Sequence, residues 1–314
     1  MLYGKYQFFC SLETDAVLPP YKGSTFRGVF GWALKAVVCA LRRQECGECL
    51  LKERCLYAFV FETPKAAPGR GYARIAAPPH PFVIEPPLSS DRIFPKGSSF
   101  DFSLLLFGEA NKNLPYFIYA FEQMGNMGFG KRVKGERGRF VLNRVDSCGK
   151  TVYSARDQKL RIDRPFDSVE LKKPDSYSED ARRVDITLVT PLRLKFQNEL
   201  RAELPFHVLV RAMLRRVSSL MSFYGEGEPA LDYRGLVRQA EANVTTLHSD
   251  LKWFDWERYS GRQDQRMLMG GITGSVSYEG ELRPYLPLLD FCEAVHLGKQ
   301  TSFGLGKIQW EAAE

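Results

Sequence analysis

LPYFIYAFEQMGNMGFGKRVKGERGRFVLNRV, residues 114–145, decides the fold. Its apolar positions read as a helix over about 114–124, its glycines as a loop over 125–139, and its end as a strand over 140–145. The same order returns near the C-terminus in YLPLLDFCEAVHLGKQTSFGLGKIQW, residues 285–310. There a helix at 285–296 runs into a glycine-rich loop at 297–306 and a strand at 307–310. Element order repeats while residue identity does not, which is the mark of a duplicated unit.

Working outward, each half also begins alike. Residues 2–12 alternate as an aromatic strand, and Pro19 and Pro20 break the chain before a helix with Ser24 as its expected N-cap. That helix carries Phe26, Phe30, Leu34, Val37, Val38 and Leu41 at helical spacing. Strand-like runs follow at 57–62, 81–85 and 99–107. In the second half a strand at 184–194 precedes a helix at 205–224. Phe206, Leu209, Val210, Met213, Leu214, Val217, Leu220 and Met221 form its apolar stripe. A polar middle stretch leads to a strand at 271–278. The pattern predicts an α+β protein of two tandem ferredoxin-like domains, 1–147 and 183–314, with a cysteine-rich insertion at 39–55 in the first. Residues 148–182 read as a connection holding a hairpin at 151–162.

The chain has 314 residues, 44% hydrophobic and 26% charged, with a net charge of +7. This composition suits a globular protein that attracts polyanions. No apolar run is long enough to span a bilayer and no signal segment is visible, so a cytoplasmic protein without membrane contact is expected.

The first glycine-rich loop, GNMGFGKRVKGERGRF at 125–140, sets Lys131, Arg132, Lys134, Arg137 and Arg139 among five glycines, against the single acid Glu136. Glycine lets backbone approach a ligand closely, and interleaved cations suit a phosphate backbone. A solvated charge cluster on a β-connection is the alternative. It is not a nucleotide P-loop, because no Ser or Thr follows Lys131 and a helix, not a strand, precedes it. The second loop carries fewer charges, with Lys299 and Lys307 around Gly304 and Gly306.

At this point the chain resembles the RAMP proteins of CRISPR systems. ERYSGRQDQRMLMGGITGSVSYEGEL (257–282) and VHLGKQTSFGLGKI (295–308) are similar to the C-terminal half of the repeat-RNA-processing endoribonucleases. STFRGVFGWALKAVVC (24–39) and CGECLLKERCLYAFVFE (46–62) resemble their N-terminal half. The resemblance covers 18–62, 121–145 and 184–309. It implies binding of CRISPR repeat RNA and cleavage of precursor crRNA without metal, with partners among CRISPR effector subunits. A non-catalytic RAMP subunit holding crRNA is the alternative, and a duplicated fold serving a small molecule is a third.

Metal-independent cleavage needs a base near the ribose 2′-oxygen, an acid near the leaving 5′-oxygen and cations at the phosphate. Many relatives carry a histidine in or just after the first helix, yet residues 27–45 contain none. Tyr21, Lys35 and His296 are the catalytic candidates. Arg27, Lys131, Arg132, Lys134, Arg137, Arg258 and Lys299 are the RNA-binding candidates, with Tyr259 and Arg262 beside Arg258 offering stacking and phosphate contact. His207 with Arg211 and Arg215 makes one polar helix face, while His80 and His248 read as surface residues.

Four of the seven cysteines, Cys39, Cys46, Cys49 and Cys55, crowd one short segment. Four thiolates suit structural zinc or an iron–sulfur cluster, with spacing alone not separating them. Either would staple the insertion, and neither is required for cleavage.

Overall fold

The computed structural model describes residues 1–42, 44–62, 78–162, 166–178, 181–194, 202–260 and 265–313. Contacts divide the chain into two α+β units, Leu2–Ser168 and Met1 with Val169–Glu314. Among the described residues no helix is long and apolar enough to cross a membrane.

The first unit is built on β1 (Leu2–Leu12), where Tyr6, Phe8, Cys10 and Leu12 face inward while Lys5 and Gln7 face outward. It contains, in order, β2 (Ala16–Val17), α1 (Gly23–Val38), α2 (Leu56–Phe61), β3 (Phe82–Glu85), β4 (Ile93–Phe94), β5 (Ser99–Phe107) and α3 (Leu114–Met127). Then come β6 (Phe129–Val133), β7 (Glu136–Gly138), β8 (Phe140–Ser147), β9 (Lys150–Ser154), β10 (Lys159–Leu160) and β11 (Asp167–Ser168). The main sheet runs β10-β9-β8-β1-β5-β3, with β11 also on β1. The β9–β10 hairpin thus places part of the 148–182 stretch in this sheet. A small second sheet runs β4-β2-β6-β7.

α1 and α3 cover the inner face of the main sheet. Phe26, Phe30, Ala33 and Leu34 point inward from α1, and Phe117, Phe121 and Met124 from α3. Phe30 stacks on Phe121 with ring centroids 4.5 Å apart, and Phe102 meets Phe121 at 4.8 Å and Phe8 at 4.9 Å. An aromatic cluster thus sits within a core that also holds aliphatic residues such as Leu34, Leu104 and Ile118.

The second unit contains β12 (Arg183–Leu192), α4 (Phe206–Tyr224), α5 (Tyr233–Asn243), β13 (Val244–Ser260), β14 (Gln265–Gly280), α6 (Leu286–Val295) and β15 (Ile308–Ala313). Its sheet runs β13-β14-β12-β15. Read from the β15 edge and counted along the half, this is fourth, first, third, second, the same order that β8-β1-β5-β3 follows among the four main strands of the first unit. Every described pairing is antiparallel.

Four expectations change. The run read as a strand over 57–62 lies on helix α2, Leu56–Phe61, because a short apolar run carries no decisive period. Ser24 lies inside α1, whose N-cap is Lys22 without a side-chain bond. The polar middle stretch holds α5 and the 17-residue β13, whose outward side chains on both faces conceal any alternation. The first glycine-rich loop is largely a β-hairpin, β6–β7, after a longer α3.

Phe30→Ala removes a ring packed against Phe61, Phe82, Phe117 and Phe121. The expected loss is about 3–5 kcal/mol, read as a lower urea midpoint with an unchanged slope. An unshifted midpoint would contradict this account of the core.

Candidate nucleic-acid interface

The hairpin β6–β7 is rooted by Phe129, which is buried against Phe26, Phe100 and Phe140 at 5.6, 5.7 and 5.2 Å between centroids. β6 pairs with β2 at Lys131 and Val17. At its tip Lys134 and Gly135 both take positive φ, 50° and 90°, as a two-residue hairpin turn of type I′ requires. The base is thus fixed by packing and the tip by turn geometry.

All five cations of this segment, Lys131, Arg132, Lys134, Arg137 and Arg139, are exposed. Glu136 is the only acid among them. A short antiparallel ribbon bearing this charge forms a compact positive surface that neutral ligands would not need. Of the expected RNA-binding residues, the structure therefore brings Lys131, Arg132, Lys134 and Arg137 together on one projection.

Around the start of α1 the picture differs. Tyr21 is half-buried, and burial, with Glu85 adding to it, pushes its phenol well above the ordinary range. A phenol held protonated is a poor base. Lys22, next to Tyr21 at the helix entrance, is fully buried. Its ammonium donates to the carbonyls of Ser89 and, at 3.3 Å, of Pro20, and lies 5.4 Å from the Phe94 ring. Burial lowers its pKa while Asp91 works against that. Arg27 stacks over Phe61 at 4.8 Å. Lys35 sits 5.5 Å from the Tyr57 ring, with the Cys46 sulfur as a hydrogen-bond partner. Burial alone would lower the Lys35 pKa, but Cys46, Tyr57 and Cys39 outweigh it and the ammonium is held on. A Lys35 held charged can stabilise negative charge but is a poor proton acceptor.

In the second unit the glycine-rich loop is closed by Leu297 N–H donating to Gly306 O at 2.8 Å. Gly306 has φ 73°, and a Cβ there would stand 1.7 Å from Leu297 O, so no other residue fits. Thr190 Oγ1 donates to Gly304 O at 2.8 Å and accepts from Lys307 N–H at 2.9 Å. His296, expected to contact RNA, is fully buried at the C-terminal end of α6. Its Nδ1 lies 3.0 Å from Leu305 O, a contact that an Nδ1–H satisfies by donating. It anchors the loop and does not face solvent. Only Lys299 and Gln300 are exposed at the loop's tip, and Lys299 N–H donates to Arg193 O at 2.9 Å.

Arg216 went unnoticed in the sequence. It is buried, and its guanidinium donates to Val295 O at 2.6 Å and to His296 O at 2.9 Å. These are carbonyls that the end of α6 leaves without helical partners. Burial lowers its pKa to about 10. The signal was present: Arg216 stands three residues after Met213 and four before Leu220, inside the apolar stripe. Its neighbours Arg211 and Arg215 are exposed, and His207 is half-buried. His80 is half-buried with Nδ1 3.0 Å from Val60 O, whereas His248 is exposed. The side chains of Arg258 and Tyr259, and all of Arg262, lie outside the described residues.

Cys39, Cys46, Cys49 and Cys55 are half-buried, and none is in a disulfide. Among the described residues no three His, Cys, Asp or Glu side chains stand close enough to hold a metal ion.

Comparison with known proteins follows the same halves. Residues 1–165 match the AF_1859_N family model, described as an N-terminal domain, and residues 186–308 match the model of the CRISPR-associated endoribonuclease Cas6. An uncharacterized protein of Archaeoglobus fulgidus is 28% identical over 292 residues, covering 92% of this chain and 91% of that one. A Thermus thermophilus Cas6 superposes with TM-score 0.54 at 12% identity, over 99% of this chain and 98% of that one. A Cas6 product complex gives 0.58 at 12% identity over 99% and 100%. A partial Cas6-RT-Cas1–Cas2 complex gives 0.59 at 12% identity, over 99% of this chain but 46% of that longer one. At such identities the structural likeness establishes the fold.

Arg216→Met removes the buried donors to Val295 O and His296 O, at roughly 1–3 kcal/mol each. Arg216→Lys is expected to restore only part of that, since one ammonium cannot reproduce the guanidinium fork. Denaturant midpoints test this, and equal midpoints for Arg216→Met and wild type would refute the anchoring role.

Proposed function

Because this chain belongs to the CRISPR-associated Cas6 family of RAMP-type, repeat-RNA-processing proteins, we propose that it binds CRISPR repeat RNA and cleaves precursor crRNA within the repeat. The observation that carries this reading is the exposed basic hairpin β6–β7, whose four clustered cations suit a polyphosphate backbone. Each half is read as a ferredoxin-like unit, on the shared strand order and the helices over one face.

In the proposed chemistry the ribose 2′-hydroxyl gives its proton to water as its oxygen attacks the adjacent phosphorus, the bond to the 5′-oxygen breaks with that oxygen taking up a proton, and a 2′,3′-cyclic phosphate results without a metal. The parts available to the candidate residues are narrower than the sequence suggests. A phenol kept protonated limits Tyr21 to proton donation toward the leaving oxygen. An ammonium kept charged limits Lys35 to stabilising negative charge. His296, sealed in the loop, has no part in this reaction. In-line positioning of the RNA therefore has to supply much of the acceleration.

A second reading, a RAMP subunit that holds crRNA without cutting it, draws on two observations: residues 27–45 carry no histidine, and His296 is buried. In both readings CRISPR proteins are partners. Solved relatives of this fold include a Cas6-RT-Cas1–Cas2 complex. A cytoplasmic location belongs to the same proposal.

Repeat RNA incubated with the protein in EDTA, with and without a 2′-deoxy substitution at the cut site, separates the readings. Cleavage that survives chelation and stops on deoxy substitution is the expected result. Tight binding without cleavage selects the second reading, and neither binding nor cleavage overturns both.

A further inference from the structure

Along α3, Pro115, Ile118, Tyr119 and Glu122 stand at steps of three and four and line one side of a cleft. The β9–β10 hairpin forms the other side. There Tyr153 and Leu160 are direct cross-strand partners, so both point to one side of the sheet, toward the helix. The cleft encloses about 330 Å³, at the small end of ligand pockets. It lies at the sheet's edge, because β10 is the last strand on that side.

Its walls are apolar and aromatic, and its polar groups are few. Tyr119 is 51% exposed, a ring left at the mouth. The Tyr153 hydroxyl donates to Glu122 Oε1. Burial, with that bond adding to it, raises the phenol's pKa, so the phenol remains the donor. Among the described residues Glu122 forms no ion pair. An ionised carboxylate accepts at about four lone-pair sites, and Tyr153 uses one. Gln158 stands on the hairpin turn at φ 53°, uncommon for a residue other than glycine. Its exposed side-chain amide has no hydrogen-bond partner among the described residues. The lining therefore offers an acceptor-only group, an amide and a ring.

A flat ligand with a donor-rich edge complements these groups. Among the RNA bases guanine alone presents two adjacent donors, N1–H and the 2-amino group, with the O6 acceptor beside them. The Glu122 carboxylate matches the donors, the Gln158 amide matches O6, and Tyr119 offers a face for stacking. Adenine and cytosine would set a ring-nitrogen lone pair against the carboxylate, and uracil a single N–H between two carbonyls. A protein guanidinium shares guanine's pair of donors, but the rim favours RNA. Arg156 and Lys159 are exposed at the hairpin turn, where the acid Asp157 is paired with Arg161. These cations oppose an incoming arginine and suit a phosphate. Under two helical turns separate Glu122 from Met127, where α3 leads into the basic hairpin β6–β7. We propose that this cleft holds one unpaired guanine of the bound RNA, supplying base recognition that phosphate contacts lack. The inference rests on the RNA-binding function proposed above.

Two measurements on the full chain test it. Nitration with tetranitromethane reads the cleft directly: guanosine monophosphate should protect Tyr119, adenosine monophosphate should not, and exposed Tyr116 is the unprotected reference. Protection by adenosine monophosphate or arginine amide as strong as by guanosine monophosphate, or by none of the three, would overturn the proposal. In the second measurement each unpaired guanine of the repeat RNA is replaced in turn by inosine, which lacks only the 2-amino group. At one position or more, wild type should bind the inosine form roughly tenfold more weakly, as loss of one hydrogen bond to a charged group implies. Glu122→Gln keeps an acceptor for Tyr153 and should lose most of that preference. Undiminished preference in Glu122→Gln contradicts the assignment. A wild type that binds the repeat but ignores inosine everywhere loses the cleft and keeps the proposed function. One that binds no repeat RNA loses both.

Discussion

In each unit an antiparallel sheet must hide one face beneath two helices, and that burial governs everything outside the core. It fixes the first strand at the centre of the sheet and the helices above it. It also forces the chain between the second helix and the last strand to pass over the sheet's end. Buried backbone must still find partners there. The first unit solves this with a hairpin rooted by Phe129 and hydrogen-bonded to β2. The second closes a loop on itself and fastens it with Arg216, Thr190 and His296.

The two solutions leave different surfaces. The hairpin projects Lys131, Arg132, Lys134 and Arg137 into solvent, where a phosphate chain can meet them. The closed loop spends its polar groups internally and exposes only Lys299 and Gln300. Equivalent places in two halves of one fold thus diverge, one toward a charged surface and one toward rigidity. Phosphate contacts position a nucleic acid without reading its sequence. In the proposed function, recognition of a particular repeat must therefore draw on further contacts.

Much of the fold was legible because its central strands and long helices carry unambiguous periods. β1 alternates, and α4 shows a stripe at steps of three and four. Legibility failed where period is weak or misleading. LYAFVF at Leu56–Phe61 is too short to separate strand from helix. β13 shows no alternation because it is held by pairing along β14 and not by burial. Five glycines suggested a loop where turn and close strand contacts needed them. Composition singled out the basic segment, and the structure exposes all five of its cations. His296 was misjudged because a histidine at a helix end reads alike whether its ring faces solvent or a carbonyl. Arg216 could have been found, since one arginine of an adjacent pair had to lie on the apolar stripe.

In the proposed function the β6–β7 cations carry the contact with phosphate. Its most direct test compares affinity for repeat RNA across a salt series, in wild type and in a variant with Lys131, Arg132, Lys134 and Arg137 all changed to alanine. The account predicts weaker binding at low salt and a shallower salt dependence, by about 0.7 in log–log slope for each lost contact to a single strand, with the two curves converging at high salt. Equal affinities and parallel slopes would contradict it.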